Sequence, residues 1–367
     1  MNILFASVTD SGILRVRSDL IRQLLNDKHK VVVVALQEKD YLELIDLGCV
    51  FRSIEFDQHG MNPIQDLRLL NEYICILKQE KPDVVCLFTT KPNVYCGIAC
   101  RILHIPVIMN ITGLGVALGN KSLAQYLLIK LYKLATNGRN VRTIFFQNQD
   151  SLTFFQKNRI GKTNVYKRIN GSGVNLTSFP FLPFPMDDAE YKIHILFIGR
   201  VIKQKGIDIY IEAAKCIRKK HPEVVFHVIG DADDYYREIL DKASIEKIIS
   251  YEGRRNDISE WHKISQCTIQ PSFYPEGMSN VILEAAASGR PVITTNHPGC
   301  REGIDDGITG FLIPIKDVNA LVDAISKFLS LTYQQKKEMG RKARLKMEAE
   351  FDRQNVTDAY INAIFRG

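Results

Sequence analysis

Runs of consecutive apolar residues recur along the chain, each followed by an amphipathic stretch long enough for a helix. The clearest is the VVVVAL run that follows Lys30. A strand apolar at every position has both faces buried, and covering both faces of a sheet takes helices on each side. That arrangement goes with parallel strands. The opening reads as a strand over Asn2–Ser7, a breaker at Asp10-Ser11-Gly12, and a helix over Leu14–Asn26 with Val16, Leu20 and Leu24 on one face. Further strands are expected at Asp83–Phe88, Pro106–Ile111 and Thr143–Asn148.

The alternation stops at Leu176–Tyr191, where Pro180, Pro183 and Pro185 favour an extended connector over helix or central strand. It then restarts with His194–Gly199, a helix over Ile207–Lys220, Val224–Gly230, Cys267–Gln270 and, after another helix, Pro291–Thr295. The 367 residues suit two domains of this kind. The expectation is two successive doubly wound α/β units with a cleft between them, their chemistry in the loops at the carboxyl ends of the strands.

Charge is distributed unevenly between the halves. The net charge is +7 overall, +8 over residues 1–180 and −1 over residues 181–367. Between Val84 and Pro185 there are 12 basic residues and one acid, Asp150. Such a bias suits an anionic partner, whether a phosphate-bearing substrate, a membrane surface or nucleic acid; a solvated basic face is the bland alternative. The eight cysteines contain no C-x-x-C pair and are too few for a disulfide scaffold, so reduced thiols in the cytosol are expected. The N-terminus lacks the pattern of a signal peptide, and no run approaches the ~18–20 apolar residues of a membrane span. A cytoplasmic protein is expected, with any membrane contact peripheral.

Two loops carry chemistry. The strand at His194–Gly199 runs into Arg200, with Lys205 and Gly206 just before the next helix, which places two cations beside a helix N-terminus where a diphosphate could sit. A basic turn would be the ordinary account of that segment alone. Further on, PSFYPEGMSNVILEAAASGRPVITT puts Glu276 before a Gly277-Met278-Ser279-Asn280 turn, with Ser279 or Asn280 able to cap the helix that carries Glu284. The two acids could then reach different parts of an elongated ligand, and Ala285, Ala286 and Ala287 would let the helix pack closely. One capping acid and one surface acid would be the plainer account.

Taken together, G-R-x4-K-G and the later E-x7-E resemble the signature of retaining, nucleotide-sugar-dependent glycosyltransferases of family 4. The resemblance extends to the GVN turn at Gly173–Asn175 and to Pro298–Pro314. TTKPNVYCGIACRILHIPVIMNITGLG and GSGVNL look most like bacterial enzymes that add an N-acetylhexosamine to a polyprenyl-diphosphate-linked sugar. The resemblance implies a GT-B fold of two Rossmann-like domains: an acceptor-binding domain over residues 1–178, a nucleotide-sugar domain over 179–345, and a C-terminal helix at 346–367 packing back on the first.

It also implies roles. Arg200 and Lys205 match the pair that binds the donor diphosphate and stabilises the leaving nucleotide, and Glu276 matches the acid that holds donor-sugar hydroxyls. The amides of Gly277, Met278, Ser279 and Asn280 would flank that sugar, and Glu284 matches the acid on the ribose. Gly199, Gly230-Asp231 and Glu252-Gly253-Arg254 fall where the family closes around the nucleotide, and Gly12 on the loop where backbone approaches the diphosphate. Three positions depart from the pattern. Ser11-Gly12 replaces a Gly-Gly pair, Asn175 replaces an Asp, and Asn110-Ile-Thr112-Gly-Leu-Gly115 stands where many members carry a His. Asn110 and Thr112 are therefore the expected acceptor-side groups.

Asp231-Ala-Asp233 resembles a D-x-D metal motif but follows a strand beside a cationic diphosphate site, so it reads as a loop and no metal or other cofactor is expected. Gly113-x-Gly115 is not a dinucleotide fingerprint. The segment Leu123–Ala135, with Lys130 and Lys133 among leucines and Tyr126 and Tyr132, and flanked by Lys121 and Arg139, has the composition of a helix lying on an anionic bilayer; a buried helix with snorkelling lysines is its alternative. The expected function is a retaining α-glycosyltransferase moving GalNAc or GlcNAc, with an α-1,3 linkage in view, from a UDP-sugar to a polyprenyl-diphosphate-linked saccharide at the inner face of the plasma membrane. A UDP-N-acetylhexosamine 2-epimerase of the same fold is the rival enzyme. A basic nucleic-acid-binding protein, which would leave E-x7-E unexplained, is the remote one.

Overall fold

The computed structural model describes residues 1–57, 62–114, 122–186 and 192–366; Gly115 and Lys121 lie outside them. The chain divides into two compact units, Met1–Ser172 together with the residues from Gln354 onward, and Gly173–Arg353.

The first unit contains β1 (Asn2–Thr9), α1 (Asp10–Asn26), β2 (Lys30–Leu36), α2 (Tyr41–Asp46), β3 (Val50–Ser53), α3 (Pro63–Glu80) and β4 (Val84–Phe88). A π turn at Pro92–Cys96 then leads into α4 (Gly97–Ile102), β5 (Val107–Ile111), α5 (Leu123–Thr136), β6 (Val141–Phe146), α6 (Gln149–Lys157) and β7 (Tyr166–Arg168). Its strands form one sheet in the order β3-β2-β1-β4-β5-β6-β7, with every neighbouring pair parallel. The apolar runs are its inner strands, buried from both sides, as their composition requires.

The breaker expected at Asp10-Ser11-Gly12 is instead the first turn of α1. The Thr9 hydroxyl accepts from the Gly12 amide at 3.1 Å, so the strand turns directly into the helix and Gly12 lies on the helix rather than in a loop. A fully capped start outweighs the weak helix propensity of Asp, Ser and Gly.

The second unit holds β8 (Ile193–Ile198), α7 (Ile207–Arg218), β9 (Val224–Ile229), α8 (Asp234–Ile245), β10 (Ser250–Gly253), α9 (Ile258–Ile264) and β11 (Cys267–Gln270). It continues with α10 (Asn280–Ala287), β12 (Val292–Thr295), β13 (Gly310–Ile313), α11 (Val318–Ser330) and α12 (Tyr333–Glu350). The sheet order is β10-β9-β8-β11-β12-β13, again wholly parallel. Both sheets thus reverse direction next to their first strand, at β1/β4 and at β8/β11, the switch points where doubly wound folds open a crevice for ligand.

The proline-rich segment is not a free connector. Arg290, fully buried, donates to the carbonyls of Pro183 at 2.7 Å, Leu182 at 3.3 Å and His262 at 2.6 Å. Arg344 holds the Phe179 carbonyl at 2.9 Å, and Tyr333 that of Phe184 at 3.3 Å. The segment's described residues therefore belong to the second unit, and the division falls before Gly173. There the Val174 amide donates to Phe351 O at 2.8 Å and the Arg353 amide to Val174 O at 3.1 Å. Gly173, at φ 65°, is required at this contact, because a Cβ would come within 2.5 Å of the Arg353 Cα.

The C-terminal helix α13 (Arg353–Arg366) joins the first unit from Gln354 on, later than the expected 346, which lies within α12. Tyr360 anchors it, its ring packed on Phe145 and Phe88 with the buried Arg17 guanidinium 4.9 Å from its centroid.

Candidate functional site

In the second unit the loops after β8 and β11 are stitched together at the switch point. Gly206, at φ 81°, starts α7 so close to the Pro271 carbonyl that a Cβ would sit 2.2 Å from that oxygen. The Phe273 amide donates to Gln204 O at 2.8 Å, and the Ser272 hydroxyl reaches the same carbonyl at 3.4 Å. This brings the Lys205 ammonium into a direct hydrogen-bonded ion pair with the Glu276 carboxylate, both largely screened from solvent. Ser272 also donates to Glu276 Oε1, at 3.4 Å.

Arg200 and Lys205 each stand 5.8 Å from the centroid of Tyr274, which collects both cations against one ring. Tyr274 is a site residue that the motifs do not mark; the signal for it in the sequence is the pair of aromatics between Pro271 and Pro275, at a strand end where a loop alone would be polar.

The turn carrying Glu276 is itself anchored. Gly299, at φ 86°, lets the Pro298–Cys300 turn close on Glu276, since a Cβ there would meet the Glu276 carbonyl at 2.7 Å; the Gly299 carbonyl accepts from the Ser279 amide at 2.7 Å. Met278 packs with Leu283, Ala286, Ala287 and Met347, so its side chain holds the turn and only its backbone is left for a ligand. Ser279 occupies the N-cap position of α10, but its hydroxyl makes no cap bond, and neither does Asn280 supply one. The Ser279 hydroxyl and Asn280 Oδ1 are buried without partners. The expected side-chain cap is therefore absent, which leaves the first-turn amides of this helix uncapped by side chains. Glu284 is the half-buried polar position between the buried Leu283 and Ala285.

Around the adjacent strands, Gly199, Gly230 and Gly253 form a layered turn. The Gly199 amide donates to Ile229 O at 2.9 Å and the Gly230 amide to Gly253 O at 2.8 Å. Gly230, at φ 151°, crosses Gly199 so tightly that a Cβ would lie 1.8 Å from its carbonyl oxygen, whereas the space beside Gly199 and Gly253 is open. Asp231 pairs with Arg254 at 3.5 Å, and Asp233 caps α8 by accepting from the Tyr236 amide at 2.9 Å, so the two acids of the D-x-D pattern serve separate partners.

The first unit brings its expected residues to different places. Gly12 lies in the first turn of α1. Thr112, just past β5, is half-buried. Asn110, in β5, is fully buried, and its backbone carbonyl accepts from Asn93 Nδ2 at 2.8 Å.

Residues 181–346 match the family described as glycosyl transferases group 1, and residues 2–148 match the family described as glycosyl transferase 4-like. Among curated relatives, N,N'-diacetylbacillosaminyl-diphospho-undecaprenol alpha-1,3-N-acetylgalactosaminyltransferase of Campylobacter jejuni is 26% identical over 90% of this chain and 89% of its own. UDP-Gal:alpha-D-GlcNAc-diphosphoundecaprenol alpha-1,3-galactosyltransferase of Escherichia coli is 25% identical over 86% and 84%. Among solved structures, Anabaena HepE in complex with UDP-glucose superposes with a TM-score of 0.79 at 18% identity, over 99% of both chains. With two such sheets, and with both halves matched in turn, the chain belongs to the glycosyltransferases of GT-B fold, 4-like in its first half and group 1 in its second.

Proposed function

We propose that the protein is a retaining α-glycosyltransferase that moves GalNAc or GlcNAc from a UDP-sugar to a polyprenyl-diphosphate-linked saccharide, in an α-1,3 linkage. The observation that carries this reading is the Lys205–Glu276 pair beside Arg200 at the β8/β11 switch point. Two cations there suit a diphosphate, and a carboxylate one contact away suits the hydroxyls of the attached sugar. In the departing nucleotide, negative charge grows on the β-phosphate, so Arg200 and Lys205 bind the transition state more strongly than the ground state. Glu276 fixes the sugar for attack, Glu284 takes the ribose, and the backbone from Gly277 to Asn280 flanks the donor. The retaining course is a same-face substitution in which the leaving phosphate takes the acceptor hydroxyl's proton. Arg200 and Lys205 supply the charge, so no metal ion or other cofactor is required.

The named relatives act on undecaprenyl-diphosphate-linked sugars, and Anabaena HepE holds UDP-glucose, which supports the acceptor and donor classes. Among the described residues no helix is long and apolar enough to cross a membrane. The first unit instead offers an apolar rim. Leu123, Tyr126, Leu127 and Leu134 form an exposed stripe along α5 with Lys130 stacked on Tyr126, and Ile64 and Leu67 are exposed in the first turns of α3, which packs in the same helical layer. Apolar side chains between lysines, in a segment almost without acids, suit peripheral contact with the anionic inner face of the plasma membrane.

The test is a screen of nucleotide sugars against a synthetic lipid-diphosphate sugar. UDP-GalNAc or UDP-GlcNAc should be consumed only with acceptor present, giving an α-linked product. Consumption of a GDP- or ADP-sugar alone among the donors, or conversion of UDP-GlcNAc without acceptor, would refute the reading.

A further inference from the structure

A hydrogen-bond chain crosses three neighbouring strands of the second sheet. His194 on β8 meets His227 on β9, Nδ1 to Nε2, at 2.8 Å, and His227 Nδ1 meets the Glu252 carboxylate on β10 at 2.9 Å. The carboxylate can only accept, so His227 carries its proton on Nδ1, accepts on Nε2, and takes the Nδ1 proton of His194. The two rings stack with centroids 5.0 Å apart, and Trp261 of α9 closes the other side of His227, edge-on at 5.0 Å. Ser250 gives Glu252 a second donor at 2.7 Å.

Glu252 is no ordinary strand residue. Tyr251 pairs with Val228 and Gly253 with Ile229, so Glu252 is an extra residue, a bulge in the edge strand. Bulges re-aim the backbone beyond them. Immediately beyond this one stand Gly253, whose carbonyl holds the Gly230 amide, and Arg254, which pairs with Asp231.

We infer that His227, backed by His194, is a positioning residue for the nucleotide: by pinning the bulged Glu252 it sets the Gly253–Arg254 turn and, through Gly230, the loops that close on the donor. This rests on the donor site proposed above. The charged neighbours are Lys192 just before β8, Glu252 on β10, and, past Trp261, Arg255 paired with Asp257. Burial, then His227 and Lys192, push the His194 imidazole down to about 4, so His194 is neutral at neutral pH.

Trp261 is the chain's single tryptophan, so its emission reports this cluster directly. The experiment is UDP binding by calorimetry at pH 7.5, with Trp261 fluorescence recorded in parallel. His227→Phe should weaken UDP binding roughly tenfold, as expected for losing a hydrogen bond to a charged group. His227→Asn, whose Nδ2 takes the place of the imidazole Nδ1 and can still donate to Glu252, should recover most of the affinity. Unchanged UDP affinity in His227→Phe, or an equal loss in the Phe and Asn variants, would overturn the inference. A wild type that binds no UDP at all would instead overturn the donor site. Should His227→Phe fail to fold, Glu252→Ala, on the edge strand, takes its place: a similar loss of UDP affinity is expected, and unchanged affinity would overturn the inference.

Discussion

The two sheets share a strand order yet treat the helix after their first strand in opposite ways. In the first unit Asp10 is fully buried in the opening turn of α1, its carboxylate accepting from the amides of Ser11 and, at 2.9 Å, Glu38. That helix start is already filled by the protein's own anion. In the second unit α7 begins at Gly206 with no side-chain cap, directly after Lys203 and Lys205. The donor diphosphate proposed above would sit there. Net charge points the other way, since the excess lies in the first half. The diphosphate site proposed above thus lies at the helix start without a side-chain cap, and not in the half that carries the surplus of lysines.

The difference can be broken at its strongest point first. Replacing Arg200 or Lys205 by alanine should lower transfer by at least about 10²–10³-fold, with the circular dichroism spectrum and the unfolding midpoint close to wild type. Near-normal rates in either variant would remove the basis for placing the diphosphate there. Next comes a pair of glycines. Gly206→Ala forces a side chain into left-handed backbone and against Pro271 O, and should cost about 2–4 kcal/mol in urea unfolding. Gly12→Ala, inside a helix with its nearest contact at 3.0 Å, should change stability by less than about 1 kcal/mol. Equal costs would mean the two helix starts are built alike.

The smallest effect concerns pH. Burial holds the His262 imidazole at about 3 and is the main cause of the His194 value of about 4. Both lie below the ordinary value near 6.5, so the unfolded chain binds more protons between those limits. Their contribution is present above pH ~6.5 and is lost as pH falls toward 4. Among the described residues no histidine of the first unit is buried. Thermal unfolding followed by Trp261, which sits in the second unit, should therefore shift down over that range more than the amide signal of the whole chain.

Burial on both faces is what makes a strand legible in the sequence. The inner strands can be placed within a residue or two because nothing but an apolar run can occupy them. The edge strands β3, β7 and β10 cannot, because one side meets solvent and sequences such as YKR at Tyr166–Arg168 carry no run to notice. In the site, Arg200, Lys205 and Glu276 are visible through spacing, but their meeting depends on Gly206 against Pro271 and on Gly299 against Glu276, contacts far apart in the chain. His227 is visible as a polar residue inside the VVFHVI strand. Its partners His194 and Glu252 lie on neighbouring strands, and only register brings the three together.

The carbonyl cage around Arg290 bears on how the chain could be divided. A cut made between Pro183 and Pro185 would strip the Leu182 and Pro183 oxygens from a guanidinium that has no exposure of its own. The severed half would then bury a cation short of its acceptors, a loss that breaking a buried charged contact puts at several kcal/mol. An autonomous second unit should start at Gly173 and run through Arg353, and the first unit would need its last helix returned as a separate peptide or by circular permutation.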